Sequence, residues 1–200
     1  RKAAVWVVQH GSVQVADELG QILATASRQQ PQLPDKPFVI VVVVLSSADI
    51  DDAGLANLAS CQQIREAVLD GNPKVTAKGL KALQRSKRLR KLNVAKTSVG
   101  AGLGEALASW SELEALLAQG SQVDDDAVKS IPELPRLQNL SLADTAVTDA
   151  GLAGLVERCP NLREITGETA SGSLPVSALK RLRFLRRASL RGDQLTDVAG

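Results

Sequence analysis

About every 24 residues this chain returns to the same phrase. It reads Ile50-Asp51-Asp52-Ala53-Gly54-Leu55, then Val75-Thr76-Ala77-Lys78-Gly79-Leu80, then Val147-Thr148-Asp149-Ala150-Gly151-Leu152. The apolar residues that open the phrase, Ile50, Val75, Val99, Val123 and Val147, are spaced 25, 24, 24 and 24 apart, and Leu195 continues the series two periods later. Eight residues after each anchor stand Leu58, Leu83, Leu107, Ile131 and Leu155. A fixed period in this range marks a solenoid, whose units bury their apolar faces only by stacking on one another. Such an architecture points to an extended binding surface and away from an enclosed active site.

One unit can be read physically. In Leu137-Gln138-Asn139-Leu140-Ser141-Leu142, Leu140 and Leu142 alternate with polar neighbours, as in a strand with one buried face. Both leucines are expected to be buried, with Asn139 and Ser141 exposed. Ala143 to Ala146 turn the chain, Val147 returns to the core, and Thr148 caps a short helix whose buried stripe is Leu152 and Leu155. Cys159-Pro160 ends the helix, because proline cannot continue it. The cap column is Asp51, Thr76, Gly100, Asp124, Thr148 and Thr196, in which only Gly100 lacks a capping side chain.

The L-x-x-L-x-L phrases (Leu89, Leu92, Val94; Leu113, Leu116, Ala118; Leu137, Leu140, Leu142) together with the T-D-A-G-L phrase resemble the leucine-rich repeat family. Within it they are most similar to the L-x-x-L-x-L-x-x-T-x-V-T-D-A-G-L subclass of bacterial multidomain proteins. The resemblance implies an α/β fold, a right-handed leucine-rich-repeat solenoid or horseshoe with a concave parallel β-sheet and convex short helices. It covers residues 37–200. Residues 1–36 are expected to form an N-terminal capping segment: a short apolar helix ending at Gly11, a brief strand, and a Gln- and Pro-rich connector from Arg28 to Pro37. A linker from an upstream domain is the alternative. The opening Lys2 to Val15 resembles the segment preceding such repeats in bacterial kinase-linked proteins, which implies a regulatory or sensor segment of a larger signalling protein.

The chain has 200 residues, 44% of them hydrophobic, enough for a substantial core. No apolar run reaches membrane-spanning length, and no signal peptide is visible. With no methionine and a last repeat cut at Gly200, it reads as a fragment, so its localisation stays unknown. Cys61 and Cys159 fall about four repeats apart, roughly 20 Å along the sheet, too far for a disulfide. Both are expected to be free, buried thiols at helix ends, in a column with Trp110 and Leu134.

Candidate chemistry is sparse. One histidine, His10, and two distant cysteines make neither a His/Cys metal site nor a Ser-His-Asp triad. Asp124-Asp125-Asp126 lacks EF-hand spacing and suits a helix N-terminus. The Gly100, Gly102, Gly104 run lacks the P-loop lysine and is read as turn and packing. Neither enzyme activity nor a cofactor is expected. The anchor due at Ser171 falls in the irregular stretch 166–173, with Leu174 as the rival register. That stretch is read as a degenerate repeat or as a loop that contacts a partner.

The expected binding face is the concave sheet. Its central column is Val44, Val68, Asn93, Leu117, Ser141, Thr166 and Ser189. On one side lie Val42, Glu66, Lys91, Ala115, Asn139, Glu164 and Arg187; on the other, Ser46, Asp70, Ala95, Gln119, Ala143, Glu168 and Arg191. The resemblance implies that this face recognises a protein partner. A second possibility is nucleic acid or anionic lipid at the run from Lys74 to Lys96, which holds nine basic residues and no acidic one. A second basic cluster runs from Lys180 to Arg191. Aromatic residues make up only 2% of the chain, which disfavours single-strand recognition.

Overall fold

The computed structural model describes residues 1–167 and 181–189. Among these residues one sheet has nine strands in the order β2-β1-β3-β4-β5-β6-β7-β8-β9, with β1 at Ser12–Ala16 and β2 at Ile22–Ser27. Strands β3 (Val39–Val44), β4 (Glu66–Val68), β5 (Lys91–Asn93), β6 (Ala115–Leu117), β7 (Asn139–Ser141), β8 (Glu164–Thr166) and β9 (Arg187–Ser189) run parallel to one another. From β3 to β8 each strand returns to the next through a turn and a short helical segment, giving a right-handed solenoid with the sheet on its concave side and helices on its convex side.

The core follows the period. Ala67, Leu92, Leu116, Leu140, Ile165 and Ala188 occupy the middle of their strands and are buried, as are the anchors Ile50, Val75, Val99, Val123 and Val147 and the helix residues Leu58, Leu83, Leu107, Ile131 and Leu155. Leu140 and Leu142 are buried as expected and Asn139 is exposed, but Ser141 is buried too, at 8% exposure. The serine side chain is short, and its ladder neighbours Leu117 and Thr166 stand above it on both sides.

Helical segments on the convex side differ in form. Helix α2 (Asp52–Leu55) runs into a 3-10 turn (Ala56–Leu58), and Gly79–Leu83 is 3-10 throughout. Helix α4 is Asp125–Lys129, and α5 is Asp149–Arg158, ending at Cys159-Pro160. Asp51, Asp124 and Thr148 cap their helices through bonds from Gly54, Ala127 and Ala150 N–H groups at 2.8, 2.8 and 3.3 Å. Helix α3 (Leu103–Leu107) begins two residues later than the cap column predicts, after Gly102 at φ +85°. That left-handed value favours glycine.

The T-D-A-G phrase acquires a physical reason across repeats. Thr148 donates its backbone N–H and hydroxyl to the two oxygens of Asp125, at 2.7 and 2.6 Å. Thr76 does the same to Asp52, at 2.8 and 2.6 Å. A Cβ on Gly151 would overlap Asp125 Oδ1, and one on Gly79 would overlap Asp52 Oδ1. The glycine of each phrase therefore makes room for the aspartate of the preceding one, while threonine clasps it.

The bonds from Thr148 hold the Asp125 carboxyl below its usual range. A depressed folded-state pKa contributes stability above the unfolded value of about 4, and that contribution is lost as pH falls through the folded pKa. Asp125→Asn is accordingly expected to be less stable than the parent near pH 7, with the gap closing as pH falls below about 4. Urea unfolding across the range checks this. A gap independent of pH would mean that the carboxylate's charge plays no part.

The N-terminal region differs from expectation by one strand. Helix α1 (Lys2–His10) ends at Gly11 and β1 (Ser12–Ala16) follows, but β2 (Ile22–Ser27) pairs antiparallel with β1, which itself pairs antiparallel with β3. The hairpin between them is closed by Asp17, whose carboxylate accepts from Gln21 N–H at 2.8 Å, with Gly20 at φ +87°. His10 lies 2.9 Å from the Trp6 carbonyl through Nδ1, and the two rings are 4.8 Å apart. Trp6 is half-buried against the core while Trp110 is fully buried. Both cysteines are free, but Cys61 is only half-buried, because it borders an open cleft with Arg1, Phe38 and Gln63. Burial raises both thiols, and Cys159 is pushed up to about 12.

Ser171, Leu174, Leu195, Thr196, the concave positions Glu168 and Arg191, and Lys180 lie outside the described residues. Gly167, which stands where other repeats carry a strand leucine, is buried against Leu142.

Candidate interaction face

Parallel pairing puts the face into straight ladders. Val42, Glu66, Lys91, Ala115, Asn139, Glu164 and Arg187 are successive partners, and so are Val44, Val68, Asn93, Leu117, Ser141, Thr166 and Ser189. The sequence-expected columns are thus brought side by side, with neighbouring rungs about 4.8 Å apart. Directly opposed residues share a face, so the antiparallel strands extend it: Gln14 pairs with Val42 and Thr25, and Ser12 with Val44 and Ser27. These four polar residues were missed as part of the face. The alternation Ser12-Val13-Gln14-Val15 was the signal available.

The polar members engage one another along the ladders. Lys91 Nζ lies 2.8 Å from Glu66, and Arg187 lies 3.4 Å from Glu164. Asp70 accepts from the Ser46 hydroxyl at 2.7 Å and from Asn93 Nδ2 at 3.4 Å. Asn93 Oδ1 also takes the Ala95 N–H at 3.0 Å, which folds the amide over that turn. Ala95, expected on the face, is buried at 3% exposure. Gln119 Oε1 is buried without a hydrogen-bond partner among the described residues. Between these pairs Val42, Val44, Val68 and Leu117 remain half-exposed. The face therefore offers apolar spots framed by charge pairs that are already internally compensated.

The Lys74–Lys96 run does not form one patch. Lys74 and Lys78 sit after β4, Lys81 in the 3-10 segment, Lys87, Arg88 and Arg90 before β5, and Lys91 on the concave face. The side chains are thus distributed round the coil. Four of them meet carboxylates of adjoining repeats: Lys74–Asp49 at 2.9 Å, Lys81–Glu105 at 3.1 Å, Arg90–Glu114 at 3.7 Å and Lys91–Glu66 at 2.8 Å. In the later cluster Arg181 pairs with Glu157. The carboxylates of Asp124, Asp125 and Asp126 point to three different partners, Ala127 N–H, Thr148 and Lys129. No helix among the described residues is long and apolar enough to cross a membrane.

Comparison with known proteins gives a family match. Residues 73–197 match the family described as FBD-associated F-box protein At5g56370, LRR repeats. No curated protein matches the chain. Among solved structures it is similar to an internalin (inlF) of Listeria monocytogenes, at 16% identity and a TM-score of 0.48, over 74% of this chain and 46% of that one. An internalin C2 (inlC2) of the same organism is similar at 17% identity and a TM-score of 0.48, over 80% of this chain and 75% of that one. The chain spans about half the length of the inlF structure.

Proposed function

Because the chain belongs to the leucine-rich repeat family, we propose that it is a non-enzymatic interaction module whose concave sheet recognises a protein partner. The observation that carries this reading is the row of half-exposed Val44, Val68 and Leu117 in one central ladder. Apolar side chains that water can reach on an open sheet gain by being covered, at roughly 25 cal/mol per Å² of apolar area. The flanking ion pairs Glu66–Lys91 and Glu164–Arg187 contribute little energy where they are exposed but set charge complementarity and register for a partner. The scattering and pairing of the Lys74–Lys96 charges weigh against the nucleic-acid and anionic-lipid reading.

The test is a pull-down from source lysate at low and moderate salt, with mass-spectrometric identification. A discrete protein retained at both salts and lost with Val68→Asp or Leu117→Asp is the expected result. Both positions are half-exposed, so the variants are expected to keep parental circular dichroism. Retention unchanged by both substitutions overturns the concave reading. Recovery of salt-sensitive nucleic acid alone moves the function to the basic residues.

A further inference from the structure

Since β3 to β9 are parallel, every loop that leads into a strand lies along one edge of the sheet and every turn that leaves a strand lies along the other. The two edges differ in charge. The leaving edge carries Asp49, Asp51, Asp70, Asp124 and Asp144, accompanied by lysines; the leading edge carries Arg65, Arg88, Arg90, Arg136, Arg163 and Arg186. Backbone bonds stitch this second edge together, from Arg90 N–H to the Arg65 carbonyl at 2.8 Å and from Arg186 N–H to the Arg163 carbonyl at 2.8 Å. Arg65, Arg90, Arg136, Arg163 and Arg186 come from separate repeats, so no window of sequence shows them together.

Two of these guanidinium groups, Arg90 and Arg136, are only loosely matched from within. Arg90 lies 3.8 Å from Glu112 and 3.7 Å from Glu114, and Arg136 lies 3.9 Å from Glu112, with 52% and 57% of the two arginine side chains exposed. Arg158, by contrast, donates to the Lys129 and Val128 carbonyls at 2.6 and 2.9 Å. Beside the arginines stands an apolar anchor: Phe184 is 54% exposed and borders a cleft of about 220 Å³ with Arg136, Gln138, Asn161 and Arg163, lined also by Pro135 and by Glu114, which is already drawn towards Arg90. Planar guanidinium forks match carboxylates two bonds at a time, and an exposed ring flanked by such forks suits a hydrophobic side chain set among acids.

We propose that this arginine edge docks an acidic polypeptide segment, with carboxylates on Arg136, Arg163 and Arg186 and a hydrophobic side chain against Phe184. The proposal rests on the protein-partner reading but not on the concave face. It is favoured over a nucleic-acid strand because Phe184 is the one exposed aromatic residue among the described residues, where strand binding uses successive stacking platforms.

The experiment is fluorescence anisotropy at low salt with a fluorescein-labelled peptide of aspartate and glutamate around one tryptophan, and with an oligothymidylate of equal charge as second probe. The peptide is expected to bind. Arg163→Glu combined with Arg186→Glu is expected to weaken it about tenfold or more, and Phe184→Ala about fivefold. Lys78→Glu combined with Lys96→Glu makes the same change in net charge on the opposite edge and is expected to leave affinity within about twofold. Val68→Asp is expected to leave it unchanged, so the concave reading and this one fail separately. Absence of peptide binding, equal loss from both edges, loss with Val68→Asp, or tighter binding of oligothymidylate would each overturn the proposal. All the substituted positions on the two edges are exposed, and melting curves confirm that the variants fold.

Discussion

Replacing Asn72 with alanine is expected to lower the unfolding free energy by about 3–5 kcal/mol, because one fully buried amide braces two consecutive turns. Its Oδ1 accepts from the Ala48 and Ile50 N–H groups at 3.0 and 3.2 Å, and its Nδ2 donates to the carbonyls of Leu45, Leu69 and Asp70 at 2.7, 2.8 and 3.2 Å. Removing the amide strands buried backbone groups of the first turn, each costing about 1–3 kcal/mol when it finds no replacement. That turn is also conformationally demanding: Ser47 and Asp49 have φ of 48° and 51°, a region non-glycine residues rarely adopt. The same column in later repeats holds Thr97, Ser121 and Thr145, whose hydroxyls donate to the carbonyl three residues back, at 2.6 Å each; Thr97 also accepts from the Val99 N–H at 3.3 Å, within its own turn. Asn72→Thr is therefore expected to lie between the parent and Asn72→Ala, restoring the bond to Leu69 and none of those to the first turn. Urea unfolding measures both. A loss below about 1 kcal/mol for Asn72→Ala would show that water takes over the amide's bonds.

The contrast between what was and was not legible in the sequence follows from how far each interaction reaches. A period of about 24 residues fixes which residues share a column, since every unit must present the same apolar stripe to its neighbours. Leu140, Val147 and Leu155 fell into the core, and Val68, Asn93 and Leu117 into one ladder, for that reason. Side-chain direction within a column is a different matter. Ser141 and Ala95 are buried because of neighbours one rung away and an amide that folds back, and periodicity carries no information about either. Strand β2 escaped notice because Ile22-Leu23-Ala24-Thr25-Ala26-Ser27 has no repeat to be compared with; only pairing with β1 makes it a strand. The Lys74–Lys96 run misled in the opposite sense. Proximity in sequence spreads residues round a solenoid, whereas residues 23 to 25 apart, such as Arg65 and Arg90 or Arg163 and Arg186, become neighbours.

Truncating Trp110 to alanine is the other large expected effect, about 3–5 kcal/mol. This is the largest fully buried side chain among the described residues, just beyond the turn that follows α3 and halfway along the stack, so little can collapse into the space it leaves. Its indole Nε1 has no hydrogen-bond partner among the described residues. Trp110→Phe discards that buried donor and most of the volume remains, and its cost is expected to stay within about 1.5 kcal/mol. The difference between the two variants isolates volume from hydrogen bonding. Position matters as much as size: a solenoid's stability is close to a sum of repeat and interface terms, so weakening a central repeat uncouples the two ends. The chain has two tryptophans, so in Trp110→Ala the fluorescence of Trp6 reports the N-terminal end alone, while circular dichroism reports the whole stack. The expected result is that the two urea transitions separate in Trp110→Ala and coincide in Trp110→Phe. Coincident transitions in both would mean that the N-terminal strands, the parallel ladder and the central repeat unfold as one cooperative unit even with its largest core side chain removed.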